Sequence, residues 1–127
     1  MCSSDLVAKS ITKVLRSISD IEVIDCKIHI DKKNPQNKIK TSIDTTVYEN
    51  HSVVIVDDVL HTGSTLIYSV RHFLQVSLSQ CKVAVLINRN HKKFPIKADY
   101  KGLSLSTSMQ EHVEIVCKNN TFEGYLT

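Results

Sequence analysis

Residues 53–66 read Val53-Val-Ile-Val-Asp-Asp-Val-Leu-His-Thr-Gly-Ser-Thr-Leu66, and their order decides the fold. Four consecutive β-branched residues without alternation predict a strand covered on both faces, the mark of a parallel strand inside an α/β sheet. Two carboxylates, Asp57 and Asp58, follow at its carboxyl end, and Thr62-Gly-Ser-Thr65 then opens a helix. Ligands of open α/β sheets bind outside the carboxyl ends of the strands, where this turn lies. Gly63 lets backbone come close to a ligand, consecutive N–H groups converge on an anion, and the helix presents its positive end. The hydroxyls of Thr62, Ser64 and Thr65 add donors on the same side. Asp57 and Asp58 stand too near to share that anion without repulsion, but suit the hydroxyls of a sugar attached to it. A phosphate on the turn and a diol on the acids describe a ribose 5-phosphate.

Downstream, Leu66, Ile67, Val70, Phe73 and Leu74 recur at helical spacing, and residues 83–87 form a second β-branched run. Strand, helix and strand within about 35 residues make a βαβ unit with a right-handed crossover. Upstream, Val7, Ile11, Val14, Leu15 and Ile18 predict a helix over 6–18 with one buried face, capped by Ser3, Ser4 or Asp5. Ile24, Cys26, Ile28 and Ile30 alternate with polar residues, as in an outer strand. Between them and residue 53, the polar stretch 31–40 carries four lysines and Pro35, and weak β-propensity resumes over 41–48. The polar stretch reads as a solvated connection or as a mobile flap over a ligand. Residues 89–101 carry Arg89, Lys92, Lys93, Lys97 and Lys101 against one acid, Asp99. Val113, Ile115 and Cys117 then alternate, and Asn119-Asn120 marks a turn before a last run at 122–126, a small C-terminal hairpin.

The chain has 127 residues, 42% hydrophobic and 23% charged, with three Gly and two Pro, which excludes disorder and low complexity and points to one domain over residues 1–127. The longest apolar run, Val53–Val56, is too short to span a bilayer, and no secretory leader pattern precedes it, so a cytoplasmic protein without membrane attachment is expected. Sixteen Lys and Arg against 13 Asp and Glu give +3, which permits a phosphorylated ligand without requiring one. Cys2, Cys26, Cys81 and Cys117 lack the spacing of a metal site and read as buried thiols of a reducing compartment.

The segment 53–65 resembles the thirteen-residue phosphoribosyl pyrophosphate motif of the type I phosphoribosyltransferases. The stretch Ala84-Val-Leu-Ile-Asn-Arg-Asn-His-Lys-Lys-Phe-Pro-Ile-Lys-Ala-Asp-Tyr-Lys-Gly102, with Ser106-Thr-Ser108 after it, is similar to the pyrimidine operon attenuator proteins, bifunctional uracil phosphoribosyltransferases that also bind messenger RNA. The resemblance covers about 21–116. It implies a three-layer α/β fold, a mostly parallel central sheet flanked by helices, and transfer of 5-phosphoribosyl from the pyrophosphate donor to a nucleobase, uracil by this likeness, in nucleotide salvage. It also implies magnesium bound through the donor, with no protein ligand assigned to it, and a homo-oligomer. Carried over by motif position, Asp57 and Asp58 contact the ribose hydroxyls and serve catalysis, while Thr62, Gly63, Ser64 and Thr65 hold the 5-phosphate. The stretch 31–40 corresponds to the family's mobile flap. Arg89 lies near the base or pyrophosphate, or is a surface arginine.

Three departures stand out. Purine-type members place a carboxylate where this chain has His61, which suits a pyrimidine or is simply exposed. Asn88 stands where attenuator-like members have an aspartate, weakening a metal-binding role there. The family's upstream strand and pyrophosphate loop have no counterpart before residue 6, so the expected domain lacks them, as a fragment or as a domain that binds nucleotides without full catalytic equipment. A receiver domain also opens on a strand ending in Asp-Asp, but its later phosphoacceptor would have to be Asp99, inside the basic stretch. A P-loop is excluded because its Gly-x-x-x-x-Gly-Lys pattern is missing. A regulator that senses nucleotides and binds RNA through the lysines of 32–40 and 89–101 is the alternative from another class.

Overall fold

The computed structural model describes residues 3–89, 92–105, 113–118 and 121–126. Its framework is the βαβ unit. Strand β3 (Ser52–Leu60) leads through a three-residue turn into α3 (Ser64–Phe73), and β4 (Gln80–Arg89) returns parallel to β3, with Ile55 opposite Val83 and Leu60 opposite Asn88. A third strand, β5 (Tyr100–Leu105), lies parallel on the far side of β4, in the order β3-β4-β5. The parallel sheet with helices matches the expectation, and so does the antiparallel hairpin of β6 (Val113–Lys118) and β7 (Thr121–Leu126). Ile55, Leu60, Leu66, Phe73, Val83 and Val85 form the core between α3 and the sheet, joined by Tyr48 and Ala98. Burying such side chains is worth roughly 1.5–3 kcal/mol each.

Several elements differ from the sequence reading. Among the described strands β4, not β3, has a strand on both sides, and Val54 on β3 is 50% exposed, because an apolar run alone does not say which strands flank it. β5 falls where the sequence shows a lysine, a glycine and a serine, and its residues are largely exposed, so no burial pattern announces it. At Gly102 an added Cβ would lie 2.7 Å from the Leu86 carbonyl oxygen, which explains a residue of poor strand propensity there.

The helix α1 (Ser3–Ile18) forms as expected and packs on β3, burying Val7, but Val14 and Ile18 are 57% and 74% exposed, so its apolar stripe is only partly covered. The outer strand expected over Ile24–Ile30 shrinks to β1 (Ile28–His29), paired antiparallel with β2 (Lys40–Thr41). The reason lies in α1: Arg16 Nη2 donates to the Val23 carbonyl (2.8 Å) and Thr12 Oγ1 to Asp25 Oδ1 (3.4 Å), fastening this segment to the helix instead of to a strand. The β-propensity over 41–48 resolves into one helical turn, α2 (Thr45–Tyr48), whose Tyr48 ring meets Phe73 edge-on at 4.9 Å. Cys26, Cys81 and Cys117 are free thiols but only half-buried; Cys2 lies outside the described residues. Among the described residues no helix is long and apolar enough to cross a membrane.

Candidate functional site

Gly63 makes the turn. Its φ of 87° and ψ of 0° are left-handed, where a Cβ costs roughly 1–2 kcal/mol, and it stands as the N-cap of α3 without a side-chain cap. The first helical bond runs from Ile67 N–H to the Gly63 carbonyl (2.9 Å), and Ser64 N–H donates to Thr62 Oγ1 (3.3 Å). The first-turn N–H groups of a ten-residue helix therefore open on the carboxyl end of β3, with half a unit of positive charge behind them. An open concavity lies there, lined by Asp57, Val59, Leu60, His61 and residues 62–66.

Asp57 is the acid that faces this concavity. Burial, then the Asp58 side chain beside it, push its carboxyl from 3.8 up to about 7, against the pull of Lys32. Lys32 belongs to the 31–40 stretch, so the charge of the candidate flap is felt at the site. Asp58 N–H donates to Asp57 Oδ1 (2.9 Å) and Val59 N–H to Asp58 Oδ1 (2.8 Å), which aims both carboxylates at their own strand end.

Of the residues singled out in the sequence, the structure gathers Asp57, His61, Thr62, Gly63, Ser64 and Thr65 around one hollow; Asp58 and Arg89 are not among its lining. Asp58 stands beside Asp57, near enough to raise its carboxyl, but its Oδ1 is taken by Val59 N–H. Arg89 is no surface arginine. It is 1% exposed at the end of β4, opposite Leu105, and is not without a partner. His61 is exposed, and it too has a partner. Asn88 is opposite Leu60, with its buried Oδ1 lacking a hydrogen bond. Asp99, the only acid of the basic stretch, accepts from Val83 N–H (2.8 Å) and is a fastening of β4, not a phosphoacceptor. No spacing in the sequence pointed to the role of 92–98: Lys93 and Phe94 N–H both donate to the Thr62 carbonyl, at 2.8 and 3.1 Å, and Ile96 packs on Gly63.

A profile of the phosphoribosyl transferase domain matches residues 6–118. The chain belongs to the phosphoribosyltransferase family. Within it, the chain is 35% identical to the bifunctional protein PyrR of Fusobacterium nucleatum over 122 residues, which cover 90% of this chain and 69% of that protein. It is 30% identical to the bifunctional protein PyrR of Streptococcus thermophilus over 115 residues, 87% of this chain and 65% of that one. The chain thus spans about two thirds of the curated relatives it matches. Among solved structures, the hypoxanthine phosphoribosyltransferase of Staphylococcus aureus superposes with a TM-score of 0.69 at 19% identity, over 86% of this chain and 60% of the other. That of Trypanosoma cruzi gives 0.66 at 18%, over 89% and 61%. At those identities the likeness is one of fold, and the phosphoribosyltransferase fold is what this chain has.

Proposed function

We propose that this phosphoribosyltransferase-family chain binds phosphoribosyl pyrophosphate or a nucleoside 5-phosphate at the β3–α3 turn and transfers 5-phosphoribosyl to a nucleobase, uracil by its similarity to the PyrR proteins. The observation that carries the reading is the left-handed Gly63 turn opening α3 over the same hollow as the Asp57 carboxylate. Thr62, Gly63, Ser64 and Thr65 supply backbone and hydroxyl donors to the 5-phosphate. Asp57 accepts from a ribose hydroxyl; Asp58, beside it, takes the adjacent one only by turning from Val59 N–H.

In the transfer, the bond from C1 of the ribose to the pyrophosphate oxygen breaks with its electron pair leaving on pyrophosphate. The bond from C1 to the base nitrogen forms, and that nitrogen releases its proton. Positive charge gathers on the sugar as this happens, and the Asp57 carboxylate, once ionised, would stabilise that charge. Among the described residues no group of three or more His, Cys, Asp and Glu is placed to hold a metal ion. A magnesium ion carried by the donor needs only one or two carboxylates beside its phosphates and waters, so the Asp57–Asp58 pair fits it. Bound there, it would neutralise the leaving pyrophosphate. Self-association belongs to this reading, since β5 exposes Tyr100 and Leu103 at a sheet edge.

The test is thermal protection by uridine monophosphate. A ligand at 100 times its Kd adds about 2.7 kcal/mol, a rise of several degrees in Tm for the wild type, and Asp57→Asn should reduce it. Unchanged melting of a folded wild-type protein overturns the assignment. A second reading, a nucleotide-sensing RNA-binding regulator, draws on the exposed Lys32, Lys33, Lys38, Lys40, Lys92, Lys93, Lys97 and Lys101.

A further inference from the structure

Gly63 is buried, yet no side chain of its own fills the space beside it. A Cβ built on Gly63 would overlap the Cγ2 methyl of Ile96 and touch Phe94. Ile96 thus occupies the position that a side chain at residue 63 would need. The same segment also holds the preceding peptide group. Lys93 and Phe94 N–H both donate to the Thr62 carbonyl oxygen, at 2.8 and 3.1 Å, using both of its lone pairs. The Thr62 carbonyl and the Gly63 N–H belong to one planar trans peptide and point in opposite directions. Fixing the carbonyl on residues 93 and 94 therefore aims the Gly63 N–H away from them and keeps the peptide from flipping.

The segment is itself anchored on both sides. The Phe94 ring meets Tyr68 of α3 edge-on at 6.2 Å, with the Arg71 guanidinium 5.1 Å from the centre of the Tyr68 ring. Ile96 N–H donates to the Phe94 carbonyl (2.8 Å), closing a tight turn around Pro95. At the far end Asp99 N–H donates to the Val83 carbonyl, and the Asp99 carboxylate accepts from Val83 N–H, each at 2.8 Å. A strap tied to α3 and to β4 is thus pressed onto the turn between β3 and α3.

We propose that residues 92–98 are a strap that shapes the anion-binding turn, with the Cγ2 methyl of Ile96 as its positioning contact. The inference rests on the turn being a phosphate site, as argued above. Ile96 touches no ligand; it acts through Gly63, holding the backbone donors where a phosphate meets them. Valine keeps the methyl that does this and leucine does not, although leucine matches isoleucine in size. Ile96→Val and Ile96→Leu therefore separate this contact from bulk packing.

The experiment measures Kd for ribose 5-phosphate by calorimetry, with ribose as control, and hydrogen exchange at the Lys93 and Phe94 amides, on folded wild type and both variants. Ile96→Val is expected to bind within about twofold of wild type. Ile96→Leu should bind about tenfold more weakly, the lower value of one hydrogen bond to a charged group, with faster exchange at both amides. Equal affinity in wild type and Ile96→Leu overturns the proposal, as does an equal loss in both variants. Wild-type protein that does not bind ribose 5-phosphate refutes the functional reading instead. In that case the exchange still decides the strap, and unchanged protection in Ile96→Leu refutes it.

Discussion

Replacing Asp57 by asparagine should make the protein's stability less dependent on pH, and the size of the effect follows from where the acid sits. In the folded chain its carboxyl is pushed from 3.8 up to about 7, first by burial at the end of β3 and then by Asp58. Between these two values the folded state holds a proton that the unfolded chain has released. Stability therefore falls as pH rises through this window; the contribution is fully present below about pH 4 and gone above pH 7. At 1.36 kcal/mol per unit the whole effect is at most roughly 4 kcal/mol, of which more than half falls between pH 5 and pH 8. Asparagine has the shape of the protonated acid and does not titrate here. Urea unfolding at pH 5 and pH 8 should therefore show wild type losing more stability than Asp57→Asn across that interval, by at most roughly 2–3 kcal/mol, since the titrating groups remote from Asp57 are common to both. Parallel pH profiles would refute the claim that Asp57 is held as a costly buried acid. The cost has a functional meaning, because a ligand that offers hydroxyl donors or a cation to that carboxylate recovers part of it on binding.

Two further outcomes follow from the same geometry. Gly63→Ala combines a left-handed backbone with a methyl overlapping Ile96, and should cost about 3 kcal/mol in denaturant unfolding; adding Ile96→Ala removes the overlap but not the strain, so the two changes should couple by roughly 1 kcal/mol. Strict additivity would show that the two residues do not meet. If the exposed lysines of 32–40 and 92–101 bind RNA, filter-binding affinity for a single-stranded RNA should fall steeply as salt rises; binding that ignores salt, or no binding at all, removes the regulator reading.

The relation between sequence and structure varies from element to element. The hollow beside Asp57 was legible because its parts are contiguous. An apolar strand, an acid at its end, a glycine and three hydroxyl residues follow within 53–65, and each carries its conformational preference locally. The βαβ unit was legible for the same reason, through β-branched runs on either side of a helical period. Asp58 was only half legible, since its Oδ1 is held by the Val59 N–H and it does not join the lining that Asp57 does. The strand expected over Ile24–Ile30 was misread because side chains of α1, Arg16 and Thr12, bind the Val23 carbonyl just before it and the Asp25 carboxylate within it, and a competition of that kind leaves no trace in periodicity. β5 was missed because an exposed strand has no buried face to show.

The sequence by itself therefore determined the strand–turn–helix proposed to receive an anion, the acid beside it and the family to which such a motif belongs, all through interactions between near neighbours along the chain. Only the tertiary structure decided that Arg89 is buried, that β4 lies between β3 and β5, and that Ile96 stands where a side chain on Gly63 would be. These depend on where the chain returns after long excursions, and burial, close approach and the holding of a peptide by distant N–H groups arise only once those segments have met.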